Sequence, residues 1–275
     1  SRTPAFLSRF RGAQISRLGV HVDPLLALLA PFWLAWPSPL MLLVLQALAV
    51  AAGAFPVYWL AEKHLQNRRA AALFSLAYLA YPATQYNAYT PAAGFHPVSL
   101  AAPLLLYAIW FLDEDRLVLF AVFAVLAATT KEEIPAAIGC LGIWYGFRRG
   151  RRVAGIALAV LGVVVTALDF QVVIPHFAER GYDPFLNRYE DVGGTPGGIL
   201  IHAFTNPAGL VDAVATWHKL AYVVLMLAPF LGLWLLEPLL LLGALPDFAI
   251  NLLSSKSEQT TLEFQYTAGI VAFVL

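Results

Sequence analysis

Three consecutive charged residues, Lys131, Glu132 and Glu133, are the first feature of the sequence that can do chemistry. They stand between two almost wholly apolar runs, residues 117–130 and 134–147. A charged side chain in hydrocarbon costs about 2.5–3.5 kcal/mol on insertion scales, so these three belong at a membrane face, in a wet cavity or in ion pairs. A lysine can hold a phosphate as a point charge, and a glutamate can act as a base or a metal ligand. The alternative is a plain polar turn between two membrane helices.

Two histidines also lie where polar sequence meets apolar sequence. His21 and Asp23 precede a short apolar run, and His96 begins another. Imidazole can bind phosphate or a metal and can relay a proton, so these residues are candidates for acid–base or ligand chemistry. The alternatives are structural: Asp23 caps the helix that follows it, and the ring of His96 lies in the headgroup zone.

The polar segment 182–198 is the third candidate. It combines Arg188 and Tyr189 with acids and glycines, a mixture that suits sugar and phosphate binding but also any loop outside a membrane. Further polar residues lie inside apolar runs: Asp169, Gln171, Asp247 and Asn251. Polar groups at this depth are functional candidates by default, although hydrogen bonding between helices is the commoner explanation for the amides among them. The sequence has no phosphate-binding glycine loop, no Cys/His zinc spacing and no serine nucleophile elbow.

The elements that position these residues follow from composition. Hydrophobic residues make up 60% of the chain and charged residues 12%, whereas about 25% of residues are charged in soluble domains. Apolar runs long enough for membrane helices recur along the chain, which predicts an all-α, polytopic helical membrane protein. Zero net charge gives no indication of nucleic-acid binding, and the single cysteine excludes an intrachain disulfide.

The runs predict about nine membrane helices and one short interfacial helix within a single transmembrane domain, residues 1–275. Residues 1–38 are expected to form an external loop and the interfacial helix, because the apolar run 24–36 is too short to span. Residues 175–216 are expected to form a second external loop, and residues 217–236 and 238–253 a helical hairpin. The last run is about half a span long, so we expect a fragment with further helices before and after it.

The basic residues predict the orientation. Short loops rich in lysine and arginine stay in the cytoplasm, which places residues 63–69 and 148–152 inside. Counting crossings from these loops puts the charged turn 131–133, His21 and His96 on the external side. We therefore expect most histidines and isolated acids at one face, and the arginine clusters with residues 113–116 at the other.

Four stretches carry a resemblance to a known family. They are GVHVDPLLALLAPFWLAWPSPL with the residues that follow it, GFHPVSLAAPLLLYA, ATTKEEI and NRYEDVGGTPGGIL. They resemble the prokaryotic predicted membrane proteins grouped as domain of unknown function 2079, over nearly the whole chain. That family is in turn similar to the GT-C superfamily of membrane glycosyltransferases, which use polyprenyl-phosphate-linked sugars. The resemblance implies an active site on the external face and inversion at the anomeric centre.

The resemblance also implies site residues. His21 matches the histidine of the family's H-x-x-P pattern, His96 that of its F-H-P pattern, and Lys131 and Glu132 the start of its Lys-Glu-Asp pattern. Glu133 stands where the family usually has aspartate.

Two further departures affect the acids of the site. Gly94 and Val98 stand where an aspartate and a glutamate commonly flank the F-H-P pattern. The acidic motif that GT-C enzymes place after their first helix is expected upstream of Ser1, so this chain does not name the catalytic base.

The resulting hypothesis is a GT-C-like glycosyltransferase that uses a polyprenyl-phosphate-linked donor at the outer face of a prokaryotic inner membrane. The expected catalytic residues are His21, Asp23, His96 and Glu132. The expected substrate-binding residues are Lys131, Glu133, Arg188 and Tyr189. A divalent metal ion is the candidate cofactor, with its ligands left open. The alternative is a non-enzymatic transporter or envelope-assembly scaffold; a transporter would favour midplane polar groups and an internal repeat.

Overall fold

The computed structural model describes residues 7–10, 13–89, 94–178 and 186–275. Regular structure in these ranges is helical, as predicted, except for one antiparallel β-hairpin of β1, Leu7–Phe10, and β2, Ala13–Ser16. The prediction of an external loop before the interfacial helix missed this hairpin, because strands of four residues carry little alternating signal.

The helices divide the chain into many short elements. The first eight are α1 Leu25–Ala35, α2 Pro39–Ala52, α3 Ala54–Leu65, α4 Arg68–Ala80, α5 Pro82–Tyr89, α6 Ala101–Asp113, α7 Leu117–Ala128 and α8 Ile134–Arg148. The others are α9 Arg152–Leu168, α10 Ile174–Phe177, α11 Leu186–Tyr189, α12 Pro196–Thr205, α13 Pro207–Val214, α14 Trp217–Leu227, α15 Pro238–Leu241, α16 Leu245–Leu253 and α17 Ala268–Val274.

Local sequence explains where several of these helices begin. A side-chain oxygen at the N-cap accepts a backbone N–H bond in five of them, which satisfies an amide that the helix leaves free. The capping residues are Ser38, Asn67, Thr195, Asn206 and Thr216. Proline occupies an early helical position after Ser38, Thr195 and Asn206, where its missing N–H is not needed.

Two helices in the described residues are long and apolar enough to cross a membrane. They are Pro39–Leu65, which joins α2 and α3, and Arg152–Phe177, which joins α9 and α10. The pair Pro207–Val214 and Trp217–Phe230, bent by 64°, gives a third if it counts as one span. Shorter apolar helices accompany them: Leu25–Ala35, Pro97–Asp113, Leu117–Ala128, Pro238–Leu253 and Gln265–Val274.

Two predicted segments differ from the structure. Of residues 175–216 the structure describes 175–178 and 186–216, and the second part is not simply a loop, because α11, α12 and α13 lie within it. The predicted continuous span 217–236 breaks after Phe230, where Leu231 (φ 49°) and Gly232 (φ 82°) adopt the left-handed conformation. A residue with positive φ ends a right-handed helix, and the glycine accepts that conformation at no steric cost.

The core forms around α6. Leu105, Leu106 and Leu112 of this helix are buried, and α17 packs against it with nearly all of its residues buried. By contrast, α9 exposes most of its apolar side chains, including Val153 and Ile156. An apolar surface of this extent is unfavourable in water and suits contact with lipid.

Glycines bring α8 and α9 into backbone contact. A Cβ atom on Gly155 would lie 2.5 Å from the carbonyl oxygen of Gly142, and one on Gly162 would overlap the carbonyl oxygen of Pro135. Lipid supplies no hydrophobic force between helices, so close packing of small residues is what holds such a pair together.

We expect Gly155→Leu to destabilise the protein strongly. Overpacking typically costs about 1–3 kcal/mol, and here the new side chain meets rigid backbone rather than a movable side chain. Thermal unfolding of the purified protein in detergent measures the effect. Ala157→Leu, which adds similar bulk on the exposed face of α9, is the matched control. Equal melting temperatures for the two variants would contradict the proposed packing.

Candidate functional site

The charged turn 131–133 joins α7 to α8 and is buried. Glu132 is 1% exposed and Glu133 3%. Lys131 forms an ion pair with Glu133 within the turn, which is the pairing that a plain polar turn predicts. A plain turn at a membrane face would be solvated, however, and these acids are enclosed by other elements. The burial of these acids therefore distinguishes this turn from a simple solvated connection between two helices.

Glu132 joins the turn to the segment before α1. Its Oε1 lies 2.9 Å from Nδ1 of His21, and its Oε2 accepts the backbone N–H of Val22 at 3.0 Å. A further bond, from Leu25 N to Thr129 O, fixes the start of α1 against the end of α7. Burial alone would raise the pKa of Glu132, but the charge and hydrogen bond of His21, helped by Lys131, hold it below its usual value.

Asp23 is paired with Arg17 rather than with the helix that follows it. Its Oδ2 lies 2.6 Å from Nε of Arg17, and the residue is buried. The N-cap of α1 is Pro24, and no side chain caps that helix, so the capping role predicted for Asp23 is wrong. Burial raises the pKa of Asp23, and Arg17 opposes that rise. The other carboxyl oxygen, Oδ1, is buried without a hydrogen-bond partner in the described part of the chain.

His96 lies near this cluster but makes different bonds. Its backbone N–H donates to Oε1 of Gln46 at 3.1 Å, and its Nδ1 lies 3.2 Å from the carbonyl oxygen of Gly94. Burial lowers the pKa of His96, and the charges of Arg17 and Lys131 lower it further. His96 is therefore a neutral imidazole at neutral pH.

A large cavity opens beside the charged turn. It encloses about 1120 Å³ between α8, the end of α9, α12 and α16. Its polar wall contains Lys131, Glu132, Glu133, Arg188, Tyr189 and Gln259. Its apolar wall includes Phe170, Ile174, Ile199, Leu200, Ala249 and Leu253. Five of the predicted site residues therefore share one cavity, whereas His21, Asp23 and His96 are absent from its lining.

Two local features shape the cavity wall. Between α9 and α10 the chain forms a π-helix, Asp169–Val173, which carries Phe170 and Gln171 into the wall. Single π-helical turns inside α-helices occur frequently at functional sites. On the opposite side, the Tyr189 hydroxyl donates to Ile250 O at 3.2 Å and ties α11 to α16.

Asp247 is a polar residue inside an apolar run and lies outside the set of predicted site residues. It is buried beside the turn, where its charge acts on Lys131. Only glycine fits opposite it, because a Cβ atom on Gly269 would overlap the Asp247 carboxylate. Burial opposes the charge of Lys131, but Glu133, Glu132 and Asp247 outweigh it and raise the pKa of the lysine.

Asn251 shows the helix-to-helix bonding expected of an amide within an apolar run. Its Nδ2 donates to the Tyr222 hydroxyl at 3.0 Å and to Tyr266 O at 2.8 Å. Two bonds to separate elements satisfy a group that would be costly to bury unpaired. The structure thus shows the helix-to-helix bonding that the sequence favours for this amide.

A second ionic cluster lies at the other end of α8. Asp113 pairs with Lys63 at 2.7 Å, with His64 at 3.0 Å and with Arg149 at 3.5 Å. The ends of α3, α6 and α8 thus meet, which confirms that the basic segments 63–69 and 148–152 share one end with residues 113–116. Given the length of α8, about 22 Å separates this cluster from the charged turn.

The metal ligands that the sequence left open are not identified by the geometry. Within the described ranges, no group of three or more His, Cys, Asp or Glu side chains is placed to hold a metal ion. Lys131 lies among the acids that would otherwise be the obvious ligand set.

Fold and site together define a helical membrane protein with an enclosed charged turn beside a largely apolar cavity. The chain belongs to the family described as Predicted membrane protein (DUF2079), whose model matches residues 3–275. This confirms the family resemblance carried by the four sequence stretches. Comparisons with curated proteins and with solved structures find no match.

Proposed function

We propose that this protein is a GT-C-like glycosyltransferase that takes a sugar from a polyprenyl-phosphate donor. The observation that carries the proposal is the cavity, whose apolar wall suits an isoprenoid chain and whose polar wall suits a sugar phosphate. Binding sites of this kind are concave and mostly apolar, with a few placed polar groups that fix orientation. The resemblance of this family to the GT-C superfamily, carried by the sequence, supports the same proposal.

The proposed setting is a prokaryotic inner membrane with the cavity at the outer face. In this arrangement the shorter apolar helices also lie in the membrane, to give about nine membrane helices and the interfacial α1. The positive-inside rule supports this orientation, because the cluster of Lys63, Arg149 and Arg151 lies at the end away from the charged turn.

The donor would lie along the cavity with its chain between the π-helix and α12. Phe170, Ile199 and Leu200 supply apolar contact for the isoprenoid units. The phosphate would be held by Lys131 and Arg188, whose side chains reach the cavity from different elements. Tyr189, beside Arg188, would contact the sugar through its ring.

The chemical step is an inverting displacement at the anomeric carbon. A hydroxyl oxygen of the acceptor forms a bond to that carbon, and the bond from carbon to the phosphate oxygen breaks. The lipid phosphate leaves with the electron pair. The hydroxyl proton passes to the Glu133 carboxylate, which lines the cavity. Burial and the charge of Glu132 raise the pKa of Glu133, with Lys131 opposing, and a raised pKa makes a carboxylate a better base near neutral pH.

The other predicted residues would act on this turn from behind. Glu132, held by His21 and the Val22 amide, fixes the position of its neighbours Lys131 and Glu133. Asp23 and Arg17 anchor the segment that carries His21. In this proposal His21, Asp23 and Glu132 are positioning residues, and neutral His96 orients the acceptor.

Filling the cavity should block the donor. We expect Ala249→Trp to weaken binding of farnesyl phosphate to the purified protein at least about tenfold, because the indole takes the space of the chain. Binding is measured by native mass spectrometry. Leu245→Trp is the matched control, since Leu245 lies on the same helix but outside the cavity wall.

The outcome also separates the transferase from a scaffold. If the wild-type protein does not bind farnesyl phosphate, the proposed donor site is wrong. If both tryptophan variants bind as the wild type does, the lipid binds elsewhere and the cavity has another use.

A further inference from the structure

Tyr266 brings two lysines together at the edge of the site. The Nζ atoms of Lys131 and Lys256 each lie 5.6 Å from the centre of its ring, and Lys256 Nζ also donates to the Tyr266 hydroxyl at 3.2 Å. The two ammonium groups are thus no further apart than twice that distance. An anion that bound between them would interact with both charges.

The two lysines differ in how they are neutralised. Lys131 is paired with Glu133. Lys256 has no ion pair with any carboxylate in the described ranges, although it is half-buried. Placing an unpaired ammonium there costs free energy that a bound anion would offset.

Backbone and side-chain bonds fix Lys256 at the rim of the cavity. The N–H of Lys256 donates to Ser254 Oγ at 3.1 Å, and that hydroxyl donates to Gln259 Oε1 at 2.6 Å. The next residue, Ser255, donates its N–H to the carbonyl oxygen of Arg188 at 2.8 Å. Gln259 and Arg188 both line the cavity, so the segment that carries Lys256 borders the proposed phosphate position.

We propose that Lys256 and Lys131, brought together at Tyr266, form a two-phosphate subsite, so that the lipid donor of this protein is a diphosphate rather than a monophosphate. This inference rests on the proposed function and names the linkage in its donor. A sugar phosphodiester of a lipid carries one negative charge, and the corresponding diphosphate carries two. The two ammonium groups match the two charges of the diphosphate. The phosphate next to the lipid chain would lie at Lys131, and the phosphate next to the sugar would lie within reach of Lys256.

The transfer step breaks and forms the same kinds of bond as it does with a monophosphate donor. The bond between the anomeric carbon and the adjacent phosphate oxygen breaks, and the lipid diphosphate leaves with the electron pair. The acceptor oxygen takes its place on carbon, and its proton goes to Glu133. No further reactant is needed.

Competitive binding of farnesyl phosphate and farnesyl diphosphate to the purified protein tests the inference. We expect the wild type to bind the diphosphate about tenfold more tightly, the effect of one added charge-assisted hydrogen bond. Lys256→Gln should remove this preference and leave farnesyl phosphate binding unchanged, whereas Lys256→Arg should keep it. Arg69→Gln, which removes an exposed positive charge on α4, controls for net charge. Melting temperatures without lipid show that the variants fold.

The outcomes are distinguishable. If the wild type binds neither lipid, the proposed function fails, and this inference with it. If it binds both equally, or if Lys256→Gln weakens both alike, the diphosphate inference is overturned while the lipid-phosphate site stands. Inorganic pyrophosphate supplies the last arm: if it binds as tightly as farnesyl diphosphate and depends equally on Lys256, the subsite serves a soluble diphosphate and the lipid assignment is wrong.

Discussion

A Glu133→Gln protein is expected to bind farnesyl phosphate within about twofold of the wild type and to transfer sugar about 10²–10⁴ times more slowly. Glutamine keeps the size of the side chain and an oxygen that can accept a bond from Lys131, so the cavity should survive. It cannot accept the acceptor's proton at neutral pH. Loss of transfer without loss of binding is the behaviour of a base, and a residue that merely supports the fold would not show it.

The experiment uses the full-length protein in its own host. A strain that lacks the gene is complemented with wild type or variant, and its glycans are compared by mass spectrometry. Glu263→Gln is the matched control, because it removes the same charge from an exposed position outside the cavity wall. Full restoration of the missing glycan by Glu133→Gln would show that another group takes the proton.

The pH dependence of transfer follows from the same carboxylate. Burial and Glu132 raise the pKa of Glu133 above its ordinary value of 4.5, despite the opposing charge of Lys131. A base acts only when ionised, so the rate should fall as the pH drops through that raised pKa, earlier than for an ordinary glutamate. Rates of sugar transfer, measured in membrane vesicles at a series of acid pH values, test this expected fall.

The sequence predicted the long elements well, because each rests on a continuous apolar run. Two of these runs are the helices Pro39–Leu65 and Arg152–Phe177, which are long and apolar enough to cross a membrane. Its polar markers were also informative, since the two basic segments meet at one end and His21 meets the charged turn at the other. Patterns of charge and hydropathy extend over the length of a helix. They can therefore be recognised in the sequence without knowledge of tertiary contacts.

The side-chain arrangement of the site depends on contacts between residues that are distant in the sequence. No pattern of charge or hydropathy predicts those contacts. The bond between His21 and Glu132 joins positions 111 residues apart. The π-helix at Asp169–Val173 changes only a hydrogen-bond register within a uniform apolar run, and the break at Leu231 interrupts another. Lys256 stood in a polar stretch without any motif, and its position beside Tyr266 becomes visible only in three dimensions.

Glu132→Ala is expected to be the most destabilising change at the site. Removing the carboxylate leaves the buried Val22 N–H without a partner, which costs roughly 1–3 kcal/mol, and the loss of the partly exposed His21 partner adds to this. Here the change leaves His21 and the Val22 N–H without their acceptor and weakens the connection between α1 and the charged turn. The control is Glu62→Ala, whose partner Arg68 is largely exposed, and such surface pairs contribute about 0–1 kcal/mol. Thermal unfolding in detergent at pH 7 compares the two, and equal losses would contradict a specific role for the His21–Glu132 pair.

The pair of His21 and Glu132 also determines whether acid raises or lowers the stability of the protein. His21 and Lys131 hold the folded-state pKa of Glu132 below the ordinary value of 4.5, at about 2. Ionised Glu132 therefore contributes its full stabilisation above pH 4.5 and loses it as the pH falls towards the folded-state value. The difference in melting temperature between wild type and Glu132→Ala should therefore shrink as the pH falls below 4.5. A difference that instead grows on acidification would mean that Glu132 is protonated in the folded protein, and that the turn is not held by an ion pair with His21.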